Sequence, residues 1–212
     1  MSGIFAILFI VVQAIIYPQM VSYNPRNLGD LLTFALTRTN LYYVEYYSAG
    51  LWMLFALPGV IALYFVLSHR DKGLALIGSA LGLLGIGVFL SNLADHILFV
   101  QEAVTYSGGC TSCSAQALSG AAATFSVGIA DTFAGFMLGA GIIFFSSLMF
   151  AGHHFAKPIA GLGVGAGVMM AGIYPLITLT MGSDVTFYAG VLSAALIATW
   201  YFIVGAKLYR IA

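Results

Sequence analysis

The chain contains very little charge. Of its 212 residues, 7 are Lys or Arg and 7 are Asp or Glu, so 7% are charged, whereas a soluble domain carries roughly 25%. So few charges cannot cover a water-facing surface, which excludes an ordinary soluble domain and leaves lipid as the main solvent. The formal net charge is zero and no basic run is present. We therefore expect no nucleic-acid partner.

Cysteine is equally scarce. Two cysteines, Cys110 and Cys113, are too few for a scaffold built on disulfides. They form a C-x-x-C pair in a loop that we predict to be extracytoplasmic, where a disulfide between them is the expected state. The same spacing occurs in proteins that exchange disulfides, so a membrane thiol-redox protein stays open as a second alternative function.

Sequence signatures of common enzymes and cofactor sites are missing. The chain has no Walker lysine, no G-x-G-x-x-G after a strand and no H-E-x-x-H. Its histidines fall at different predicted depths, with His96 near the outer side and the others at the cytoplasmic ends, which argues against a haem held by two histidines. We expect no cofactor and no metal, and the sequence favours a protein that is not an enzyme.

Apolar residues dominate instead. They make up 61% of the chain, and the mean hydropathy is +1.03. A spanning helix needs about 20 mainly apolar residues, and six stretches reach that length: residues 3–23, 49–69, 74–104, 118–150, 159–181 and 187–206. The third and fourth exceed one bilayer crossing. The sequence predicts an all-α, polytopic integral membrane protein, with residues 1–212 forming a single domain of six transmembrane helices.

The positive charges predict the orientation. Cytoplasmic loops of membrane proteins are enriched in Lys and Arg. Five such residues fall on one side of the predicted helices and two on the other; these are Arg70, Lys72, Lys157, Lys207 and Arg210 against Arg26 and Arg38. We therefore predict a multi-pass protein of the cell membrane with both termini in the cytoplasm and the cysteine loop outside.

Small residues indicate where helices pack. In lipid, glycine permits two helix backbones to approach closely. Gly135 and Gly139 lie four residues apart in the fourth stretch, and five glycines mark the fifth. We expect the third, fourth and fifth helices to form the packed centre. The same pattern is also typical of a contact between identical chains, so a homo-oligomer stays open.

A cluster of polar residues in the third and fourth stretches is the best indication of function. Its members are Asn92, Asp95, His96, Glu102 and Asp131. Ionisable groups on membrane helices are costly and usually face one another, water or a ligand. Counted from the cytoplasmic ends, Asp95 lies 21 residues into its stretch and Asp131 lies 19 into the antiparallel one. The sequence therefore predicts an outward-opening polar site between the third and fourth helices.

A second interpretation of these residues is that they lie at the headgroup boundary, where polar side chains are ordinary. Tyrosines suit the same zone, having an apolar ring and a polar tip. The run from Leu41 to Tyr47 is accordingly predicted to anchor an outer loop, covering residues 24–48, at the membrane interface.

The favoured function is transport of a small solute or ion through the polar site, with proton coupling through His96 as one version of that hypothesis. The first alternative is a non-catalytic accessory subunit of a larger membrane complex. Lipid is the expected partner in either case.

Overall fold

The computed structural model describes residues 2–20, 36–106, 114–152, 155–180 and 183–211. Within these ranges the chain is helical apart from short turns, and the described residues include no strand. The all-α class predicted from the sequence is therefore confirmed. The helices are α1 (Ser2–Met20), α2 (Thr39–Leu67), α3 (Lys72–Tyr106), α4 (Ser114–Ala151), α5 (Lys157–Val168), α6 (Tyr174–Thr180) and α7 (Ser183–Ile211).

Five of the described helical segments are long and apolar enough to cross a membrane. They are Thr39–Leu67, Lys72–Leu98, Thr132–Ala151, Lys157–Ile177 and Tyr188–Arg210. The first helix contributes a shorter apolar segment, Ile7–Ile16. Helices α3 and α4 have 35 and 38 residues, or about 52 and 57 Å at 1.5 Å per residue. Both exceed the roughly 30 Å of a hydrocarbon core, as their sequence lengths predicted.

The helices form a closed ring. Each of α1 to α4 contacts the next helix in the chain, α5 and α6 contact α7, and α7 returns to contact α1. The largest interface joins α3 and α4. Apolar side chains from all sides fill the interior, among them Trp52, Leu138, Phe145 and Trp200.

Proline widens one helix of this ring. Between α5 and α6 the chain forms a π-helical turn, Met169–Ile173, in which the N–H of Tyr174 donates to the carbonyl of Met169. The residue that follows is Pro175, which has no N–H and whose ring would collide with the carbonyl four residues earlier in a regular α-helix. The π turn lies where this clash would fall, and the helical segment continues through it from Lys157 to Ile177.

Glycine allows the closest helix contacts, as the sequence predicted. A Cβ atom placed on Gly141 of α4 would lie 2.8 Å from the carbonyl oxygen of Gly78 on α3. One placed on Gly139 would lie 2.7 Å from the carbonyl oxygen of Gly167 on α5. These distances are shorter than any normal contact, so α4 packs backbone to backbone on both of its neighbours.

Candidate functional site

Two of the predicted site residues share a buried face of α3. Asn92 is 3% exposed and His96 is 8% exposed. They are four residues apart, which places their side chains one above the other on a helix. Asp95 is one residue before His96 and therefore points about 100° away; its side chain is exposed. The polar residues of α3 are thus divided between its buried face and its outer face.

The buried face of α3 contacts α2, whereas the sequence predicted a site between the third and fourth helices. Tyr42, near the start of α2, is completely buried, and its hydroxyl oxygen lies 2.9 Å from Nδ1 of His96. Either the phenol O–H donates to Nδ1 or the protonated Nδ1 donates to the hydroxyl oxygen, depending on the tautomer. In both cases the bond fixes the plane of the imidazole and leaves Nε2 on the opposite side of the ring.

Tyr46 covers a face of the same imidazole. Its ring stacks on His96 with centroids 4.4 Å apart and planes inclined by 25°. It also contacts Tyr42, one helical turn earlier, with centroids 4.5 Å apart. Tyr42 therefore hydrogen-bonds to the edge of the imidazole and Tyr46 packs on its face. Together these contacts limit rotation of the ring.

Glu45 adds an ionisable group to this part of α2. It lies between Tyr42 and Tyr46 in the chain and is half-buried, with its Oε2 atom buried. It is also the only charged residue between Arg38 and Arg70. Glu45 and both tyrosines were not predicted as site residues from the sequence. The available signal was their spacing of three and four residues, which is that of one helical face.

The neighbouring tyrosines differ from Tyr42 in exposure. Tyr43 and Tyr47 lie on another side of α2 with ring centroids 6.0 Å apart, and Tyr47 is exposed. The anchor hypothesis was therefore wrong for Tyr42, because that side chain has no exposure. For Tyr47 it agrees with the observed exposure.

The register of α3 and α4 indicates which residue of α4 lies opposite Asn92. A Cβ on Gly85 of α3 would meet Leu138 of α4 at 2.8 Å, so these two residues face each other. Seven residues, or about two turns, farther along each antiparallel helix are Asn92 and Asp131. If the two helices keep their contact, the same register brings the backbone of Asp131 opposite Asn92.

Several predicted residues fall outside the described part of the structure. The side chains of Glu102 and Asp131 are among them, as are Cys110 and Cys113. Their roles stay predictions. Within the described residues, no group of three or more His, Cys, Asp or Glu side chains is placed to hold a metal ion.

Comparison with protein-family models, with curated proteins and with solved structures finds no match.

Proposed function

We propose that the chain crosses the cell membrane six times, with both termini in the cytoplasm. Five helices of spanning length and the apolar segment Ile7–Ile16 support six crossings. Helix α1 contacts both α2 and α7 and so completes the ring, which supports the proposal that it is a sixth spanning helix. The five-to-two distribution of Lys and Arg supports the orientation. In this topology the loop with Cys110 and Cys113 is extracytoplasmic.

We propose further that the protein transports a small solute or ion and couples this to proton movement at His96. The observation that carries the proposal is the buried hydrogen bond between Tyr42 and His96, within two apolar helices. Ionisable side chains inside membrane segments are expensive, and those that persist mark pathways and proton relays more often than they serve stability.

The geometry suits such a role. Because Nδ1 of His96 is engaged by Tyr42, proton exchange would take place at Nε2, while the bond to Tyr42 keeps the ring in position. Asn92, one turn away on the same face, offers an amide that can donate and accept. Glu102 and Asp131 are the proposed charge-bearing groups for a bound ion or proton, with Glu45 as an addition from α2. Asp95 would bear charge on the outer face of α3, away from His96.

The test is proton flux into proteoliposomes that contain the purified protein. Vesicles are loaded with a pH-sensitive dye, and a potassium diffusion potential is applied with valinomycin. We expect the wild-type protein to acidify the interior faster than protein-free vesicles, and His96→Gln to lower the rate to that background. The matched control is His69→Gln, the same substitution at an exposed histidine, which should keep the wild-type rate.

Two outcomes would contradict the proposal. Equal flux in His96→Gln and the wild type would show that His96 carries no proton. No flux above background in the wild type, together with other chains that co-purify from the native membrane, would favour the accessory-subunit alternative.

A further inference from the structure

Positive charge is concentrated at the ends of two neighbouring helices. Lys157 is the first residue of α5, and Lys207 and Arg210 lie in the last five residues of α7. These are three of the seven Lys and Arg residues of the chain. Helices α5 and α7 contact each other, so the three charges come from adjacent helices.

The contacts between these helices show that they are antiparallel. A Cβ atom placed on Gly163 of α5 would overlap Nε1 of Trp200 on α7. Farther along the same rod, Tyr174 of α6 lies 3.2 Å from a Cβ atom placed on Gly190 of α7. Higher residue numbers on the first rod therefore meet lower numbers on α7. The start of α5 lies beside the end of α7.

This register places the two lysines at one height. Lys157 precedes Gly163 by six residues, and Lys207 follows Trp200 by seven. In antiparallel helices these offsets are about 9 and 10.5 Å toward the same side of the membrane. Seven residues are close to two full turns, so Lys207 also lies on the face of α7 that meets α5.

No acidic side chain in the described part of the chain neutralises this charge. Lys157, Lys207 and Arg210 form no ion pair among the described residues. The described acidic side chains are on other helices and turns; they are Glu45, Asp71 and Asp95. The positive end of the α5 dipole adds to the same region, and its N-cap residue, Ala156, makes no side-chain hydrogen bond to the helix. An anion from outside is therefore attracted here.

An exposed face without side chains extends along α5 from this charge. Gly161 and Gly165 follow Lys157 at intervals of four residues, so all three share one face of the helix, and all are exposed. No described atom lies within 4 Å of a Cβ placed on Gly165. The ring of Phe150 borders Gly161, 3.9 Å from a Cβ placed there. We call the surface from Lys157 to Gly165 the glycine face. It is a shallow apolar groove with positive charge at one end.

We infer that the glycine face binds an anionic phospholipid such as phosphatidylglycerol. The phosphate interacts with Lys157 and Lys207, and an acyl chain lies against Gly161 and Gly165. Basic pockets between membrane helices recognise anionic headgroups in this way. In the proposed orientation the lipid belongs to the cytoplasmic leaflet. The binding itself depends neither on that orientation nor on transport at His96, and the test below involves no flux.

Charge also argues for a lipid rather than a second copy of the chain. Two copies that cross the membrane in the same direction are related by a twofold axis along the membrane normal, which brings identical residues together. On this face Lys157 would meet Lys157 of the other copy, and like charges repel. A lipid phosphate neutralises the lysine instead.

Lipid binding to the purified protein in an uncharged detergent tests the role of the charges. Native mass spectrometry measures the bound fraction during titration with phosphatidylglycerol, and with phosphatidylcholine of the same acyl chains. We expect the wild type to prefer phosphatidylglycerol. Lys157→Gln and Lys207→Gln should each lower that affinity about fivefold. The matched controls are Arg70→Gln and Lys72→Gln, exposed cations of the turn between α2 and α3, which should keep the wild-type affinity.

The groove is tested by filling it. Gly165→Leu places a side chain where the acyl chain would lie, and the open space around this position permits folding. We expect it to lower the affinity for phosphatidylglycerol several-fold. Gly87→Leu is the matched control, because Gly87 of α3 is also exposed and has no described atom within 4 Å of a Cβ.

Several results would overturn the inference. Equal affinity for the two lipids, or equal losses in the lysine variants and their controls, would show that the charges select no headgroup. Equal effects of Gly165→Leu and Gly87→Leu would exclude the groove. Inorganic phosphate that displaces the lipid at equal concentration would identify a site for a free anion. A dimer that Gly165→Leu dissociates would show that a second copy covers the face.

Discussion

The hydroxyl group of Tyr42 and Nδ1 of His96 lie 2.9 Å apart, so a residue near the start of α2 holds an imidazole near the end of the apolar part of α3. Tyr42→Phe removes the hydroxyl group and keeps the ring. We expect this variant to lose about 1–3 kcal/mol of unfolding free energy, because a buried ring nitrogen loses its partner. Denaturant-induced unfolding in detergent measures the loss.

Tyr47→Phe is the matched control for this change. Tyr47 belongs to the same helix and is exposed, so the free energy of unfolding should change by less than about 0.5 kcal/mol. Equal losses in the two variants would show that the Tyr42 hydrogen bond contributes no stability of its own.

The register between α3 and α4 predicts that Asn92 and Asp131 lie opposite each other. The side chain of Asp131 is outside the described residues, so a cross-link is the test. In a background with Cys110→Ser and Cys113→Ser, we expect Asn92→Cys and Asp131→Cys together to form a disulfide on mild oxidation. Ser91→Cys with Asp131→Cys is the control, since Ser91 is exposed on another side of α3. Non-reducing mass spectrometry of the digested protein detects the bond. Cross-linking of only the control pair would show that the register changes beyond Gly85.

Gly163 of α5 is predicted to be intolerant of a side chain. A Cβ there would overlap Oγ of Ser146 on α4 and Nε1 of Trp200 on α7, both buried. We expect Gly163→Ala to lower the free energy of unfolding by about 1–3 kcal/mol, the usual cost of overpacking a core. Thermal unfolding in detergent, followed by tryptophan fluorescence, measures the change.

Gly165 provides the matched control for that substitution. It lies two residues away on the same helix, and nothing is within 4 Å of a Cβ placed on it. Gly165→Ala should therefore leave stability unchanged or raise it by about 0.5–1 kcal/mol. Ser146→Ala should partly rescue Gly163→Ala by removing one overlapping atom. Equal stability of Gly163→Ala and Gly165→Ala would contradict the three-helix contact.

The orientation can be tested at the turn between α2 and α3. In the cysteine-free background, Ser68→Cys should resist a membrane-impermeant thiol reagent in intact cells and react after the membrane is opened. The reason is the concentration of Lys and Arg in this and the other predicted cytoplasmic loops. Labelling of this cysteine from outside intact cells would reverse the proposed topology.

Cys110 and Cys113 are expected to be joined when the protein is isolated without reductant, because the proposed loop is on the oxidising side of the membrane. Mass spectrometry of the unreduced protein distinguishes a disulfide from two thiols by the mass of two hydrogen atoms. Two free thiols would instead favour a cytoplasmic loop or a redox role for the pair.

Hydropathy predicted most of the helices but misplaced the start of α2. The predicted helix begins at residue 49, whereas the observed helix begins at Thr39. The residues in between include Tyr42 and Glu45, whose polar groups resemble those of a loop or interface. Their helical conformation follows from packing against α3, and tertiary contacts of this kind are not visible in a hydropathy profile.

The candidate site was predictable only in part, because the sequence pattern does not show which helices contact each other. Helical spacing placed Asn92 and His96 on one face, and the structure buries both. Periodicity shows which residues share a face but not which helix that face meets. The sequence predicted a partner for His96 on the fourth helix, whereas in the structure Tyr42 and Tyr46 of the second helix contact it.

The contact between α1 and α7 has a consequence for how the protein is made. A ribosome synthesises α1 before the other described helices and α7 after them, yet the two are neighbours in the ring. During synthesis, the flank of α1 that will meet α7 has only lipid or an insertion factor to contact. The ring closes when the last described helix enters the membrane, so assembly is completed late in synthesis rather than helix by helix.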